Sequence, residues 1–375
     1  MSDDISRLAQ LIYDEIDKSA DDLEQAYNLT QRQIDGIVSQ FIASESNWQS
    51  KASKRDRQAF IKQLLGLAKN ASDSDQQLLH TVFDNIALKT NGDLTTALVN
   101  YAVVSLAIGS KKLIKDTLKA IPEKVAANMD KAGSKKADKL LASIKGNGMT
   151  PNDNDTSPKG SELPSKGNDM LPKSDEKPSK SDRKPPKNTK KLPKSDKKHD
   201  ELLPMSEQNN AGKDIRKLTK KAIKKILQDK YKGVDPDGSI NNEAAQIMRK
   251  LDALVDKAIR NGQRPQDFAK DFHKILTGEG TGGKGSLGRA KMILRTQATD
   301  TFIKSKQADY QKRGVKRYIF ISALTKTTCA ECEHLDGKTF NVADMVTGLN
   351  APPVHPNCKC DIEEVPDNDY STIFD

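Results

Sequence analysis

The feature that most limits how this chain can fold is a stretch near its middle that cannot build a core. Nine of its sixteen prolines fall between residues 148 and 206, spaced by Lys, Ser, Asp and Asn. Proline fixes φ and removes a backbone donor, so a run of this kind supports neither helix nor sheet. The segment Leu171-Pro172-Lys173-Ser174-Asp175 recurs as Leu192-Pro193-Lys194-Ser195-Asp196, a degenerate low-complexity repeat. Composition therefore predicts a disordered, partly extended, Lys/Pro/Ser-rich linker over 148–212. The 375 residues are only 35% hydrophobic and 5% aromatic, against about 45–50% apolar in an ordinary soluble chain. The expected architecture is multidomain: an α-helical region over 1–147, the linker, an α+β domain over 213–365 with a Cys-rich end, and an acidic tail over 366–375.

Apolar spacing supports helices on both sides of the linker. Ile5, Leu8, Leu11, Ile12 and Ile16 form one stripe. Thr30 is an expected N-cap for a second helix carrying Ile34, Ile37, Val38, Phe41 and Ile42. Phe60 to Leu65 and Leu78 to Ile86 give two more, and Asp93 is an expected cap for a central helix through Leu94, Leu98 and Tyr101. These stripes read as core, with no chemistry assigned. Beyond the linker a basic helix is expected over about 213–232, and Asp235-Pro236-Asp237-Gly238 reads as a turn. Helices follow through Ile247 to Ile259, from Pro265 to Leu276, and from Ala290 to near Gly314. Lys316 to Ala323 alternates as a strand.

Charge is local. The formal total is +10, yet residues 171–198 carry eleven basic and four acidic side chains, and residues 213–232 carry nine and two. These two stretches exceed the total, so the rest of the chain is slightly acidic. Basic residues such as Lys184, Lys187, Lys190, Lys191, Lys217, Lys220, Lys221, Lys224 and Lys225 are candidates for neutralising phosphates in double-stranded DNA, independently of base sequence. The alternative is a linker that is merely soluble. Interleaved aromatics for base stacking are missing, and the basic helix offers no Trp or Phe for lying on a membrane. No run approaches the roughly 18–20 apolar residues of a membrane span, and the acidic start Met1-Ser2-Asp3-Asp4 lacks the pattern of a secretory signal. A cytosolic product without a membrane partner is expected.

Two motifs invite chemistry. Gly278 to Lys284 imitates a phosphate-binding loop. However, Gly285 stands where a Ser or Thr hydroxyl would hold magnesium, and the loop follows a helix instead of a strand. It reads as a connector, and no small-molecule substrate is expected. The cysteines say more: all four lie in one 32-residue window, as Cys329-x-x-Cys332 and Cys358-x-Cys360, with His355 between. A C-x-x-C turn aims two thiolates at one centre, and residues two apart in an extended segment face one side. Tetrahedral zinc takes four such ligands, so five candidates compete, His355 being the alternate. Two disulfides, buried free thiols and a redox pair are the other readings; the last lacks a thioredoxin-like context.

The segments Gly314-Val315-x-x-Tyr318, Thr327-Thr328-Cys329-x-x-Cys332-x-x-Leu335-Asp336-Gly337-Lys338-x-Phe340 and Pro352-Pro353-Val354-His355-Pro356-Asn357-Cys358-Lys359-Cys360 resemble the phage head morphogenesis domain of Mu F-like minor head proteins. Arg295-Thr296 on the preceding helix fits the same pattern, over about 243–365. Gln297 stands where many members have Glu, Thr325 where Asp is common, and Lys359 where Arg is usual. Some relatives carry a toxin enzyme after this domain, and with fifteen residues after Cys360 none is expected here. The resemblance implies a low-copy structural protein of the virion. It would be assembled in the host cytoplasm, lie in the head interior near the portal, and have portal and capsid proteins as partners and no enzymatic activity. The competing classes are a zinc-dependent nuclease, with His334 or His355 activating water, and a zinc-containing DNA-binding regulator.

Overall fold

The computed structural model describes residues 3–42, 49–83, 88–146, 218–261, 265–280, 282, 285–323 and 328–365. The linker over 148–212, with Lys184, Lys187, Lys190 and Lys191, lies outside these residues, as do Lys217 and the acidic tail. By backbone proximity Met1–Asp138 and Asp214–Asp375 form one compact unit, and Lys139–Lys213 the other. Of the second unit only the end of one helix, to Gly146, is described.

The first helix, α1, is a single rod of 40 residues, Asp3–Ile42. Thr30 does not cap a second helix; it is buried within α1. The apolar stripe runs on through Ala20, Leu23, Tyr27 and Ile34, so no break separates the two expected helices. The next elements are α2 (Lys54–Lys69), capped by the Ser53 hydroxyl, and α3 (Asp73–Phe83). Helix α4 then runs over Asn91–Gly146. Asp93 acts inside the first turn of α4, where its carboxylate accepts from the Thr90 amide while the Thr90 hydroxyl accepts from the Asp93 amide. That reciprocal pair satisfies two donors left free at a helix start.

Past the linker, α5 (Lys220–Gln228) is shorter than the expected basic helix, and a 3₁₀ turn follows at Tyr231–Gly233. Asp235 to Gly238 is a helix start, not a separate turn. Pro236 opens α6 (Pro236–Asn261), and the Asp235 carboxylate accepts from the Gly238 amide at 2.9 Å. Proline suits this first position because its missing N–H would be unpaired there anyway. Two further helices follow, α7 (Pro265–Leu276) and α8 (Ser286–Arg313). Gly314 ends α8 at φ 72°, and the Val315 amide reaches back to the Tyr310 carbonyl. A side chain is strained at that φ, which explains the glycine.

The expected strand is β1 (Arg317–Ile321), the centre of a three-stranded antiparallel sheet in the order β2-β1-β3. Its partners are β2 (Thr339–Asn341) and β3 (Asp361–Val365), and α9 (Ala330–Leu335) lies between β1 and β2. Tyr318 pairs with Phe340 on one side and Glu364 on the other.

The sequence divides the chain into two folded regions, but the described residues on either side of the linker share their cores. One core joins Leu23 and Val38 of α1 and Val103 and Ile114 of α4 to Leu251 of α6, Phe272 of α7 and Leu294 of α8. A second joins Ile12 and Ile16 of α1 and Ile121 and Val125 of α4 to Phe302 and Tyr310 of α8 and to Tyr318 and Ile362 of the sheet. Helix α4 contains a window, within Asn91–Met129, long and apolar enough to cross a membrane, but 61% of it is buried in this fold. A substitution in the shared core tests this arrangement. Leu23→Ala should cost about 2–5 kcal/mol, with helix signal and aromatic environment lost together in one urea transition.

Candidate metal centre

The Cys/His centre is assembled from two loops flanking the sheet. Cys329 sits at the N-cap of α9, its sulfur accepting from the Cys332 amide at 3.4 Å, so the C-x-x-C spacing turns both sulfurs to one side. The Leu335-Asp336-Gly337 motif fixes the far end of that turn. Leu335 packs on the cysteines, the Asp336 carboxylate accepts from the Ser322 amide at 2.6 Å, and Gly337 adopts φ 74° while its amide reaches the Phe320 carbonyl. In the second loop Asn357 takes a left-handed φ of 62°, and the Cys358 amide closes back on the His355 carbonyl.

All five sequence-predicted donors meet there. Cys329, Cys332 and His355 form one group of potential ligands, and Cys332, Cys358 and Cys360 another, each with its donor atoms within 4.8 Å of one another. Cys332 belongs to both. It lies 3.8 Å from the Cys358 sulfur and 3.2 Å from His355 Nε2. Zinc–sulfur bonds of about 2.3 Å at tetrahedral angles put two sulfurs roughly 3.8 Å apart. A disulfide would need about 2.05 Å, and all four cysteines are free. His355 Nδ1 is 2.8 Å from the Pro356 carbonyl oxygen. A carbonyl only accepts, so in the neutral ring Nδ1 carries the proton and Nε2 offers its lone pair toward Cys332. Soft thiolates with one imidazole suit zinc better than a hard cation. The residues present fit such an ion, and His355 has the orientation of a full ligand.

The sulfurs are electrostatically unequal. The hydrogen bond with Cys360 holds Cys358 down to about 5 despite its burial. Burial, and then the Cys358 charge, push Cys332 up to about 12. Cys360 is raised by the same hydrogen bond and then by burial. A bound dication would favour the thiolate form of its sulfur ligands.

Helices α1 and α8 hold the second loop, a part of the site the sequence did not disclose. The Thr299 hydroxyl donates to the Cys358 carbonyl at 3.0 Å, and the Asn357 amide donates to the Thr296 hydroxyl at 3.1 Å. From α1 the Tyr13 hydroxyl donates to the Cys360 carbonyl at 2.7 Å, and Asp17 pairs with both Lys359 and Arg295. Burial pushes Asp17 upward, but the hydrogen bond from Lys359 and the two cations hold it below the usual carboxylate range. Thr296 was visible as part of Arg-Thr; Tyr13 and Asp17 carried no local signal. Gln297, in place of the more usual Glu, donates to the Val234 carbonyl and accepts from the Tyr231 amide.

Residues 249–363 match the family described as phage Mu protein F like protein. This segment, under half of the chain, is similar to Mu F-like proteins. It begins within α6 and takes in α7, α8, the sheet and the Cys/His centre, and it points to phage head morphogenesis. No curated protein and no solved structure gives a significant match.

The remaining candidates lie apart from the centre. Lys220, Lys221, Lys224 and Lys225 are exposed on α5, anchored by buried Ile226. A cleft beside that helix is lined by Lys115 and Lys119 of α4 and by Lys230, together with Asp229 and Asp237. His334 is exposed, 2.8 Å from Lys338, and in neither donor group. Gly278 follows α7, as expected of a connector, and a Cβ on Gly285 would meet the Gly278 amide nitrogen at 2.3 Å. The metal reading predicts about one zinc per chain in protein purified under reducing conditions. Cys332→Ser, which breaks both donor groups, should lower this to below one-tenth, read by elemental analysis and thiol titration.

Proposed function

We propose that this chain is a minor structural protein of a phage head. It lies inside the capsid next to the portal and acts in head assembly and in the packaging or ejection of DNA. The observation that carries this reading is the Mu F-like segment itself. Its Leu-Asp-Gly and His-Pro-Asn-Cys-x-Cys motifs fold onto one compact centre that a metal would staple. Zinc would serve architecture there: four protein ligands leave no open position for a substrate. The buried setting of Cys332, Cys358 and Cys360 supports a closed site over a zinc-dependent nuclease. Portal and capsid proteins are the partners in this reading.

DNA contact is assigned to the basic linker and to α5. The α5 lysines are exposed to solvent and so accessible to phosphates. The binding is non-specific, because phosphate contacts carry no base information.

Two measurements test these assignments. The protein should sediment with purified phage heads and capture the portal protein from an infected-cell extract; recovery wholly in the unassembled fraction would sink the head assignment. Replacing Lys220, Lys221, Lys224 and Lys225 together with Gln should leave the fold intact. Affinity for duplex DNA should weaken similarly for any sequence, and the slope of log K against log salt should fall by about 3–4. An unchanged slope would remove α5 from the interface.

A further inference from the structure

The contacts between α1 and the Cys358–Cys360 loop have a consequence that rests on the metal reading above. The Mu F-like segment starts at residue 249, so α1 lies far outside it in sequence. Yet α1 reaches the loop that carries two of the candidate ligands. The Tyr13 hydroxyl donates to the carbonyl of Cys360 itself, and the Tyr13 ring stands edge-on to Phe302 of α8 at 6.0 Å. One turn further along α1, Asp17 accepts from Lys359, the residue between the two cysteines, at 2.8 Å, and from Arg295 of α8. Leu8, Ile12 and Ile16 bury the adjacent stripe against Phe302 and Ile362.

We infer that α1 is the outer support of the Cys/His centre, so that metal binding and docking of the N-terminal helix onto the Mu F-like segment form one linked equilibrium. Hydrogen bonds around a metal's ligands orient the donor atoms, and losing them typically weakens metal binding by about 10–100-fold. The two contacts differ in weight. Lys359 and Asp17 are 46% and 40% exposed, so water screens their attraction. The Tyr13 bond is part-buried and ends on a ligand's own carbonyl, which makes it the stronger of the two. Linkage is reciprocal: whatever docked α1 adds to metal affinity, bound metal adds to docking of α1. The ion would then tie a helix near the start of the chain to a loop near its end, across the linker.

The test uses the full chain and zinc, with a chelator competing for the ion. Tyr13→Phe combined with Asp17→Asn keeps the Phe302 contact and the shape of both side chains while removing the Tyr13 hydroxyl and the Asp17 charge. It should weaken zinc about tenfold or more. Asp35→Asn removes the charge from the α1 contact to His273, whose Nε2 lies 3.0 Å away, and should leave zinc affinity unchanged. In the wild-type protein, stripping zinc should speed hydrogen exchange in α1 around residues 8–23 and spare α6 around 247–255. Wild-type zinc affinity in the double variant overturns the inference, as does an equal loss in Asp35→Asn, which would indicate general loosening. Wild-type protein that retains no zinc overturns the metal reading and the linkage with it.

Discussion

The two largest cores of the described structure meet on α8, a helix buried along much of its length and yet rich in polar side chains. Thr296, Gln297, Thr299, Asp300, Ser305 and Lys306 are all buried. An unmet buried polar group costs about 1–3 kcal/mol, so these side chains need partners, and several find them in the backbone around the Cys/His centre. Lys306, fully buried, donates to the Asp361 carboxylate at 2.7 Å and to the Ile362 carbonyl, which pins β3 to the helix. Thr296 and Thr299 do the same for the second cysteine loop. A hydrophobic α8 would bury as much area without specifying where those loops sit.

This constraint explains why the two ends of the chain behave as one body. α8 fills the space between α1 on one side and the sheet on the other, and its Phe302 and Tyr310 join Ile12 and Tyr318 in one core. The domain that the family defines is thus incomplete as a packing unit. Its central helix is finished by helices that precede the linker in sequence. A Lys/Pro/Ser-rich segment between two halves of one core is compatible with this, because each doubling of a connection's length adds only about 0.6 kcal/mol of closure cost.

Legibility followed the range of the interactions. Gly314 at the end of α8, Pro265 at the start of α7 and the alternation of β1 are local signals, and the expected elements stand where those residues put them. Thr30 failed as a cap because an uninterrupted apolar stripe outweighs one residue's preference. Asp235 to Gly238 was misread because Asp-Pro-x-Gly is as good a helix start as a turn. β2 and β3, at three and five residues, have too little alternation to register, and they form because β1 offers two open edges. Of the candidate site, the five donors were legible from crowding and spacing, while Tyr13, Asp17 and Thr299 were not. Those three act through backbone carbonyls or distant charges, and such partners leave no pattern in the sequence.

The sequence by itself determined the chemistry: four cysteines and a histidine in one short window, a basic stretch set apart from acidic surroundings, and motifs resembling one phage family. Side-chain identity and short spacing suffice for those properties. Tertiary structure alone decided the body those parts belong to. It placed α1 against the Cys/His centre and turned His355 Nε2 toward Cys332. It also joined both sides of the linker in shared cores, because burial of long-range apolar faces depends on how whole helices meet and not on any window of residues.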